Sequence, residues 1–265
     1  MKIINKFVLI ILISLFFSCD EKKQVPTKKI EILQPNIDAN ELQSDFTKWW
    51  TYHSLNISLS SDFIGLNEQS DTIEKKQFLG KLATKSYIPL KLQSGAGVES
   101  YKLFKLDAKA DDGIGSTMRN ESLTSLKYLE MEGSALPEFE FKDLNGHSYT
   151  NENTKGKTLI LKTWFVNCGA CVAEFPELNE LVEKYEQRED IIFVSLALDT
   201  DSKLEKFLQK KNFEYEVVPN QNDFIYNTLD LQIFPTHLIV DKNGTVRKVA
   251  NKASEMIAFL ENEMM

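Results

Sequence analysis

The chain has 265 residues, of which 42% are hydrophobic and 26% are charged, and its net charge is −8 at pH 7. This composition is ordinary for a globular protein and leaves room for one large domain or two small ones. The acidic balance argues against a nucleic-acid partner, which would favour a basic surface. The sequence contains no internal repeat and no low-complexity tract.

The first 18 residues are typical of an export signal. Lys2 and Lys6 precede an apolar run, FVLIILISLFF at 7–17, and a strongly polar stretch begins after Cys19. A basic start, a short apolar core and a small residue before the cleavage point characterise a signal peptide. The apolar run is shorter than the roughly 20 residues that a membrane-spanning helix needs, so a permanent transmembrane helix is the weaker interpretation.

The end of this segment, LFFSC at 15–19, resembles the lipobox of bacterial lipoproteins, although Phe16 stands where leucine is usual. The resemblance implies that Cys19 becomes the acylated first residue of the mature protein. Plain secretion and an uncleaved anchor are the alternatives. Acyl chains would hold the protein on the periplasmic side of a bacterial membrane, inner or outer, within the cell envelope. In such an oxidising compartment, cysteines form disulfides unless they are kept reduced.

Residues 19–40 are polar and predict a tether, and residues 41–133 predict a small α+β module of unknown function. Within the module, Trp49 and Trp50 are compatible with a ligand-binding platform, but packing is the favoured interpretation. Its predicted elements are helices in DFTKWWTYHSL (45–55), EKKQFLGKLAT (74–84) and SLTSLKYLEM (122–131), strands in NISLS (56–60), YIPLKLQ (87–93) and YKLFKL (101–106), and turns at GAG (95–97) and DDGIG (111–115).

Residues 134–265 predict a mixed sheet with helices on its faces. Asn-Gly pairs at 145–146 and 243–244 each indicate a hairpin turn between two strands. The other predicted elements are buried strands in GKTLILKTWF (156–165) and IIFVSLAL (191–198), a short strand in YEVVPN (215–220), helices in CGACVAEFPELNELVEKY (168–185) and SKLEKFLQKKNF (202–213), a helical turn in DFIYNTLDL (223–231), and a last helix, SEMIAFLENEMM (254–265), with Ser254 as its N-cap.

WFVNCGAC at 164–171 resembles the W-x-x-x-C-x-x-C active site of the thioredoxin fold, and residues 136–265 look like the TlpA/ResA-like group of membrane-facing thioredoxin proteins. The resemblance implies an α/β, thioredoxin-like fold with a mixed central sheet flanked by helices, preceded by the small α+β module. The motifs that carry it are LPEFEFKDLNG (136–146), Gly156-Lys157, C-x-x-C-x-x-E-x-P-E (168–177), an inserted helix and strand after IIFVSLALD (191–199), and IFPTHLIVDKNG (233–244).

Cys168 and Cys171 are the expected redox disulfide of this site. Both stand at the start of a predicted helix, where unpaired backbone N–H groups and the helix dipole stabilise a thiolate. A thiolate attacks a disulfide through a mixed-disulfide intermediate. Cys168 is the more exposed position and is expected to attack, whereas Cys171 is expected to resolve the intermediate.

In the resembled family, the proline of a Phe/Val-Pro-Thr motif is cis and faces the two cysteines, and Phe234-Pro235-Thr236 matches that motif. Pro235 is therefore expected in the catalytic site, with Phe234 and Thr236 in contact with an extended substrate segment. An ordinary turn proline is the alternative. Trp164 and Asn167 border the cysteines and are further candidates for substrate binding, although Trp164 also suits packing beneath the site.

Lys162 and Glu174 are the charged candidates in the catalytic site. Lys162 lies where thioredoxins place a buried acid, and an ammonium there would favour a thiolate; a side chain extended to the surface is the alternative. Glu174 falls at a frequently acidic position of the family and would move protons or orient a partner, unless it is a solvated helix-face charge. Pro176 is expected to kink the active-site helix.

The resemblance implies a membrane-anchored, extracytoplasmic thiol-disulfide oxidoreductase that reduces disulfides of exported proteins with electrons from a membrane-side donor. No cofactor is expected, and no metal, because a structural zinc site needs four ligands and only two thiols are available here. A peroxiredoxin is disfavoured because its P-x-x-x-[ST]-x-x-C motif is missing around Cys168. A disulfide-donating oxidase is one alternative. A copper-binding assembly factor with a C-x-x-x-C pair is another, although His53, His147 and His237 are scattered. A cell-surface binding protein with a permanently closed disulfide is the third.

Overall fold

The computed structural model describes residues 37–92 and 99–264, all of which belong to one compact unit. The predicted signal segment, Cys19, most of the tether and the predicted turn at 95–97 lie outside the described residues. In the part of the chain that is described, no helix combines the length and apolar character needed to cross a bilayer.

The N-terminal half builds a four-stranded sheet in the order β2-β1-β4-β3, in which β1 and β4 are parallel and the other neighbours antiparallel. Its core contains the wholly buried side chains of Trp49, Phe78 and Tyr101. The elements are α1 (Ala39–Gln43), α2 (Phe46–Asn56), β1 (Phe63–Leu66), β2 (Thr72–Ile73), α3 (Lys75–Leu82), β3 (Tyr87–Lys91), β4 (Glu99–Lys105) and α4 (Asp112–Met131).

The predicted turn at DDGIG (111–115) is wrong, because α4 begins there. The carboxylate of Asp111 caps this helix by accepting a hydrogen bond from the Gly113 N–H at 2.8 Å. Gly115 lies so close to the loop before β3 that an added Cβ would stand 2.5 Å from the carbonyl oxygen of Lys85. These residues therefore serve a helix start and a close backbone approach instead of a turn.

The C-terminal half builds a five-stranded mixed sheet in the order β11-β10-β7-β8-β9. Strands β7, β8 and β9 are parallel, β10 is antiparallel to β7 and β11, and β5 with β6 forms a separate hairpin. The elements are β5 (Glu140–Lys142), β6 (Ser148–Thr150), β7 (Thr158–Trp164), α5 (Gly169–Ala173), α6 (Phe175–Lys184), β8 (Ile191–Ala197), α7 (Asp201–Leu208), β9 (Glu216–Val218), a π-helical turn (Phe224–Thr228), β10 (Thr236–Val240), β11 (Val246–Ala250) and α8 (Ala253–Met264).

Side chains of the central strand β7 alternate between two apolar cores, one on each face of this sheet. Leu159 and Leu161 join the core that includes Tyr128 of α4, whereas Ile160 joins the core built with α6 and α8. Burial on both faces explains why β7 reads as one continuous apolar run. The thioredoxin-like α/β fold and the preceding small α+β module are both confirmed.

Helix α4 contributes to both halves of the molecule. Near its start, Ile114 and Met118 pack in the N-terminal core, and near its end Tyr128 packs in the C-terminal core. The two halves therefore share one helix, and the domain boundary drawn at 133–134 from the sequence stays a prediction.

Two local predictions also differ from the structure. NISLS (56–60) is not a strand, because the hydroxyls of Ser58 and Ser60 donate to the Glu255 carboxylate at 2.5 and 2.6 Å and tie this segment to α8. Helix α8 begins at Ala253, so Ser254 lies inside the first turn and is not the N-cap. Both differences arise from long-range contacts that local sequence patterns do not contain.

Candidate active site

Cys168 and Cys171 are joined by a disulfide at the N-terminus of α5, with their Cα atoms 5.2 Å apart. Cys168 is the N-cap residue, and its Sγ accepts a hydrogen bond from the Cys171 N–H at 3.2 Å. Cys171 is wholly buried, whereas Cys168 is 7% exposed and is followed by the exposed Gly169 and Ala170. Of the two sulfurs, the one at Cys168 therefore belongs to the more exposed residue, and the expectation that Cys168 attacks a visiting disulfide stays a prediction.

Helix α5 ends at Ala173 with Glu174 as its C-cap, and α6 begins at Phe175 with Pro176 in its first turn. The single kinked helix predicted from the sequence is thus two helices. A proline fits the first turn of a helix because its missing N–H would have no intrahelical partner there. The break gives the side chain of Glu174 access to the core between the sheet and α8.

The loop before β10 holds the cis peptide bond between Phe234 and Pro235. The Phe234 ring packs edge-on against Phe165, with 5.4 Å between centroids, and against the apolar cluster that contains both cysteines. The carbonyl of Pro235 accepts a hydrogen bond from Asn251 Nδ2 at 3.0 Å. Thr236 Oγ1 donates to the carbonyl of Ile233 at 2.7 Å. These contacts hold the loop beside the disulfide.

Two of the four predicted substrate-binding side chains are wholly buried. Trp164 is wholly buried and packs with Phe175 at the base of the cysteine cluster, with 5.2 Å between ring centroids. Thr236 is also wholly buried and holds the cis-proline loop from inside. The packing interpretation therefore holds for Trp164, and a substrate contact at Thr236 stays a prediction. Asn167 is exposed and Phe234 is half-buried, so these two remain accessible.

Lys162, Glu174 and His237 meet between β7, β10 and the break between α5 and α6. Glu174 Oε2 lies 2.5 Å from Lys162 Nζ and 3.0 Å from His237 Nε2. Its other oxygen, Oε1, accepts the Ala253 N–H at 2.9 Å and so caps α8. Lys162 and His237 are direct neighbours on adjacent strands, and both are wholly buried.

The environment of this cluster fixes its charges. Burial raises the pKa of Glu174, but the hydrogen bonds and charges of His237 and Lys162 outweigh it and lower that pKa to about 2. Burial lowers the pKa of Lys162, against the opposing pull of the Glu174 carboxylate. Burial also lowers the pKa of His237, whose Nδ1 has no partner among the described residues. We therefore assign a neutral imidazole that donates from Nε2 to an ionised Glu174.

Both surface alternatives considered from the sequence are wrong. Lys162 does not extend to solvent, and Glu174, whose side chain is 14% exposed, is not a solvated helix-face charge. Nor does Lys162 supply an isolated positive charge to the cysteines, because its ammonium is paired with the Glu174 carboxylate. The two residues instead tie the active-site helix pair to the sheet and to α8.

The sequence interpretation missed His237 and Asn251 as parts of the site. His237 entered it only as a distant ligand in the copper alternative, yet its Nε2 is bonded to Glu174. An alternation signal existed, since His237 is the second residue of β10 and faces the same side as Lys162 on the neighbouring strand. Asn251 follows β11 and carried no comparable signal.

A second group of ionisable side chains lies away from the cysteines. Ligand atoms of Asp143, His147 and Glu216 fall within 4.8 Å of one another. Asp143 already accepts hydrogen bonds from the backbone N–H groups of Asn145 and His147, at 2.9 and 2.8 Å. This carboxylate therefore organises the hairpin turn between β5 and β6.

Comparison with known proteins places the similarity in the C-terminal half. The AhpC/TSA family model matches residues 133–249. The thiol-disulfide oxidoreductase ResA of Geobacillus kaustophilus is 30% identical over 137 residues, which cover 51% of this chain and 78% of that protein. The ResA of Bacillus thuringiensis subsp. konkukian is 29% identical over 133 residues, which cover 50% of this chain and 76% of that protein.

Among solved structures, the thioredoxin domain of a thiol-disulfide oxidoreductase from Bacteroides vulgatus overlays with a TM-score of 0.45 and 21% identity, covering 50% of this chain and 96% of that one. All of these matches span about half of this chain.

Proposed function

The chain belongs to the ResA-like thiol-disulfide oxidoreductases, and from that premise we propose that it reduces disulfides of exported proteins in the bacterial cell envelope. The observation that carries the proposal is the pair at the head of α5, where a partly exposed Cys168 and a buried Cys171 lie beside the cis-proline loop. Membership of the family makes the chain an oxidoreductase; its direction, substrates and location are the proposed part.

The reaction proceeds in two exchanges. The reduced Cys168 thiolate attacks a substrate disulfide, a Cys168–substrate disulfide forms, and the first substrate sulfur leaves as a thiolate that takes up a proton. The Cys171 thiol loses its proton and attacks Cys168, so the Cys168–Cys171 disulfide forms and the second substrate sulfur leaves. Two electrons have then passed from the protein to the substrate, and a membrane-side dithiol donor must return two electrons before the next cycle.

The reduction potential of the Cys168–Cys171 couple tests the direction. Equilibration with thiol redox buffers, followed by counting of free thiols, should give a reduction potential of about −270 mV, a value that suits a reductant. A potential near about −120 mV would contradict the proposal and favour a disulfide donor. If the disulfide stays closed in all of these redox buffers, the result would favour a non-enzymatic binding protein.

We propose further that Cys19 is acylated and that residues 19–40 tether the enzyme to the membrane. The supporting features are the short apolar run at 7–17, the small residue before Cys19 and the polar stretch after it. Expression in a bacterial host with labelled fatty acid should label the wild-type protein and not a Cys19→Ala variant. Labelling of both forms, or of neither, would contradict acylation at Cys19.

A further inference from the structure

A groove of about 240 Å³ lies where α2 and α4 of the N-terminal module face the cis-proline loop. Trp50 of α2 and Ile233 of the loop before β10 both line it and are 42% and 37% exposed, although both side chains are large and apolar. His53, Glu121 and Asn251 supply polar groups to its lining. We call this feature the module groove.

The module groove shares Ile233 and Asn251 with the surroundings of the cis-proline loop. Ile233 is followed directly by Phe234 and Pro235, and the Phe234 ring packs on the cluster that contains the disulfide. Asn251 lines the groove and also donates a hydrogen bond to the Pro235 carbonyl. Among the described residues, the backbone N–H and C=O of Phe234 have no hydrogen-bond partner. An extended chain pairing with Phe234 would therefore run on into the groove.

The walls of the module groove are fixed before any partner arrives. Nε2 of His53 lies 2.6 Å from Glu121 Oε2, whereas His53 Nδ1 is buried without a partner among the described residues. The Trp50 ring stacks on His53, with 6.1 Å between centroids. A buried Lys248 on β11 binds Asp62 of the module at 2.6 Å and holds the two halves together. Because these contacts already order the side chains of the groove, binding costs little further conformational entropy. An apolar side chain that enters the groove therefore retains most of the free energy gained by its burial.

We propose that the module groove binds the substrate polypeptide next to its disulfide-bonded cysteine and selects substrates with apolar side chains there. The N-terminal module would thereby set the substrate preference of the dithiol site. This inference rests on the proposed function, because it needs a polypeptide disulfide to dock at Cys168. A second copy of this chain is the competing occupant.

The test uses two synthetic peptide disulfides and the reduced full-length protein. In one peptide a central cysteine is flanked by leucines, in the other by serines, and each is joined to a small thiol. Rates are measured by stopped flow and divided by the rate of the same variant with hydroxyethyl disulfide, which normalises for the dithiol itself. We expect the wild-type protein to react about tenfold faster with the leucine peptide.

Trp50→Ala and Ile233→Ala each remove a large apolar lining side chain, and each should bring the leucine-to-serine rate ratio close to one. Leu55→Ala is the matched control, because Leu55 lies on the same helix and is 79% exposed but does not line the groove. It should keep the wild-type ratio. A wild-type ratio near one, or a ratio unchanged in both groove variants, would overturn the inference while leaving the reductase proposal to be judged by its potential. Dimerisation that Trp50→Ala abolishes would assign the groove to a second copy and overturn it as well.

Discussion

Lys162 and Glu174 form an ion pair that is withdrawn from solvent, with 2.5 Å between Nζ and Oε2. Lys162 is wholly buried on the central strand, and Glu174 stands at the break between α5 and α6. The pair connects the cysteine helix to the sheet, so it is a positioning element of the site. The contribution of this ion pair to the free energy of unfolding can be measured directly.

Lys162→Met should lower the free energy of unfolding by about 3 kcal/mol, because a buried carboxylate then loses its counter-charge. Lys184→Met is the matched control, since Lys184 pairs with Glu261 on the surface and should matter much less. Urea denaturation of the oxidised proteins measures both. A loss in the Lys162 variant no greater than that in the control would contradict the buried pair.

Gly115→Ala should lower the free energy of unfolding by about 2 kcal/mol, because its Cβ would meet the Lys85 carbonyl oxygen at 2.5 Å. Gly80→Ala provides the opposite case. Gly80 lies inside α3 with nothing within 4 Å of an added Cβ, so alanine should stabilise the helix by up to about 1 kcal/mol. Thermal denaturation of the two variants should therefore shift in opposite directions, and equal shifts would contradict the described contact.

Local sequence patterns predict buried strands well but do not contain the long-range contact that explains Gly115. The segment DDGIG predicts a turn because two glycines and two aspartates favour one locally. In the structure, Asp111 caps α4, and Gly115 lies against the carbonyl of Lys85, thirty residues earlier. The long strands β7 and β8 were predicted within one or two residues, since continuous apolar runs mark buried strands regardless of their neighbours.

The spacing of Cys168 and Cys171 and the flanking motifs predict the redox pair, whereas the contacts around the pair could not be predicted from the sequence. Lys162 and Glu174 were both singled out, but their contact joins a strand to a helix break and depends on tertiary packing. Lys162 and His237 are neighbours because of the register between β7 and β10, and this register cannot be derived from the sequence. For Trp164, the sequence allowed a substrate contact or packing beneath the cysteines, and its burial agrees with packing.

Stability should fall in two steps as the pH is lowered. Because burial lowers the pKa of His237 below 6.5, the unfolded chain takes up a proton first, and stability decreases as the pH drops below about 6.5. Because the folded pKa of Glu174 is about 2 against 4.5 in the unfolded chain, a second loss follows between these values. Urea midpoints from pH 8 to pH 3 measure the profile.

His237→Gln should remove the first of these steps and retain the second, since glutamine does not titrate and can still donate to Glu174. Glu174→Gln should weaken the second step. A profile of His237→Gln that declines below pH 6.5 as the wild type does would show that other groups cause the loss.

Cys168 should be alkylated by iodoacetamide at least about tenfold faster than Cys171 in the reduced protein at pH 7. Its Sγ accepts the Cys171 N–H, and the residue is 7% exposed, whereas Cys171 is wholly buried. Peptide mass spectrometry after timed quenching assigns each modification to its cysteine. Faster labelling of Cys171 would reverse the roles given to the two sulfurs.

The most direct measurement is the reaction of the reduced protein with insulin, a protein disulfide, in three forms. The wild type should reduce it, Cys168→Ser should not react, and Cys171→Ser should stop at a one-to-one covalent adduct through Cys168 that dithiothreitol releases. Failure of the wild type to reduce any protein disulfide, or an adduct formed through Cys171 in the Cys168→Ser protein, would contradict the account.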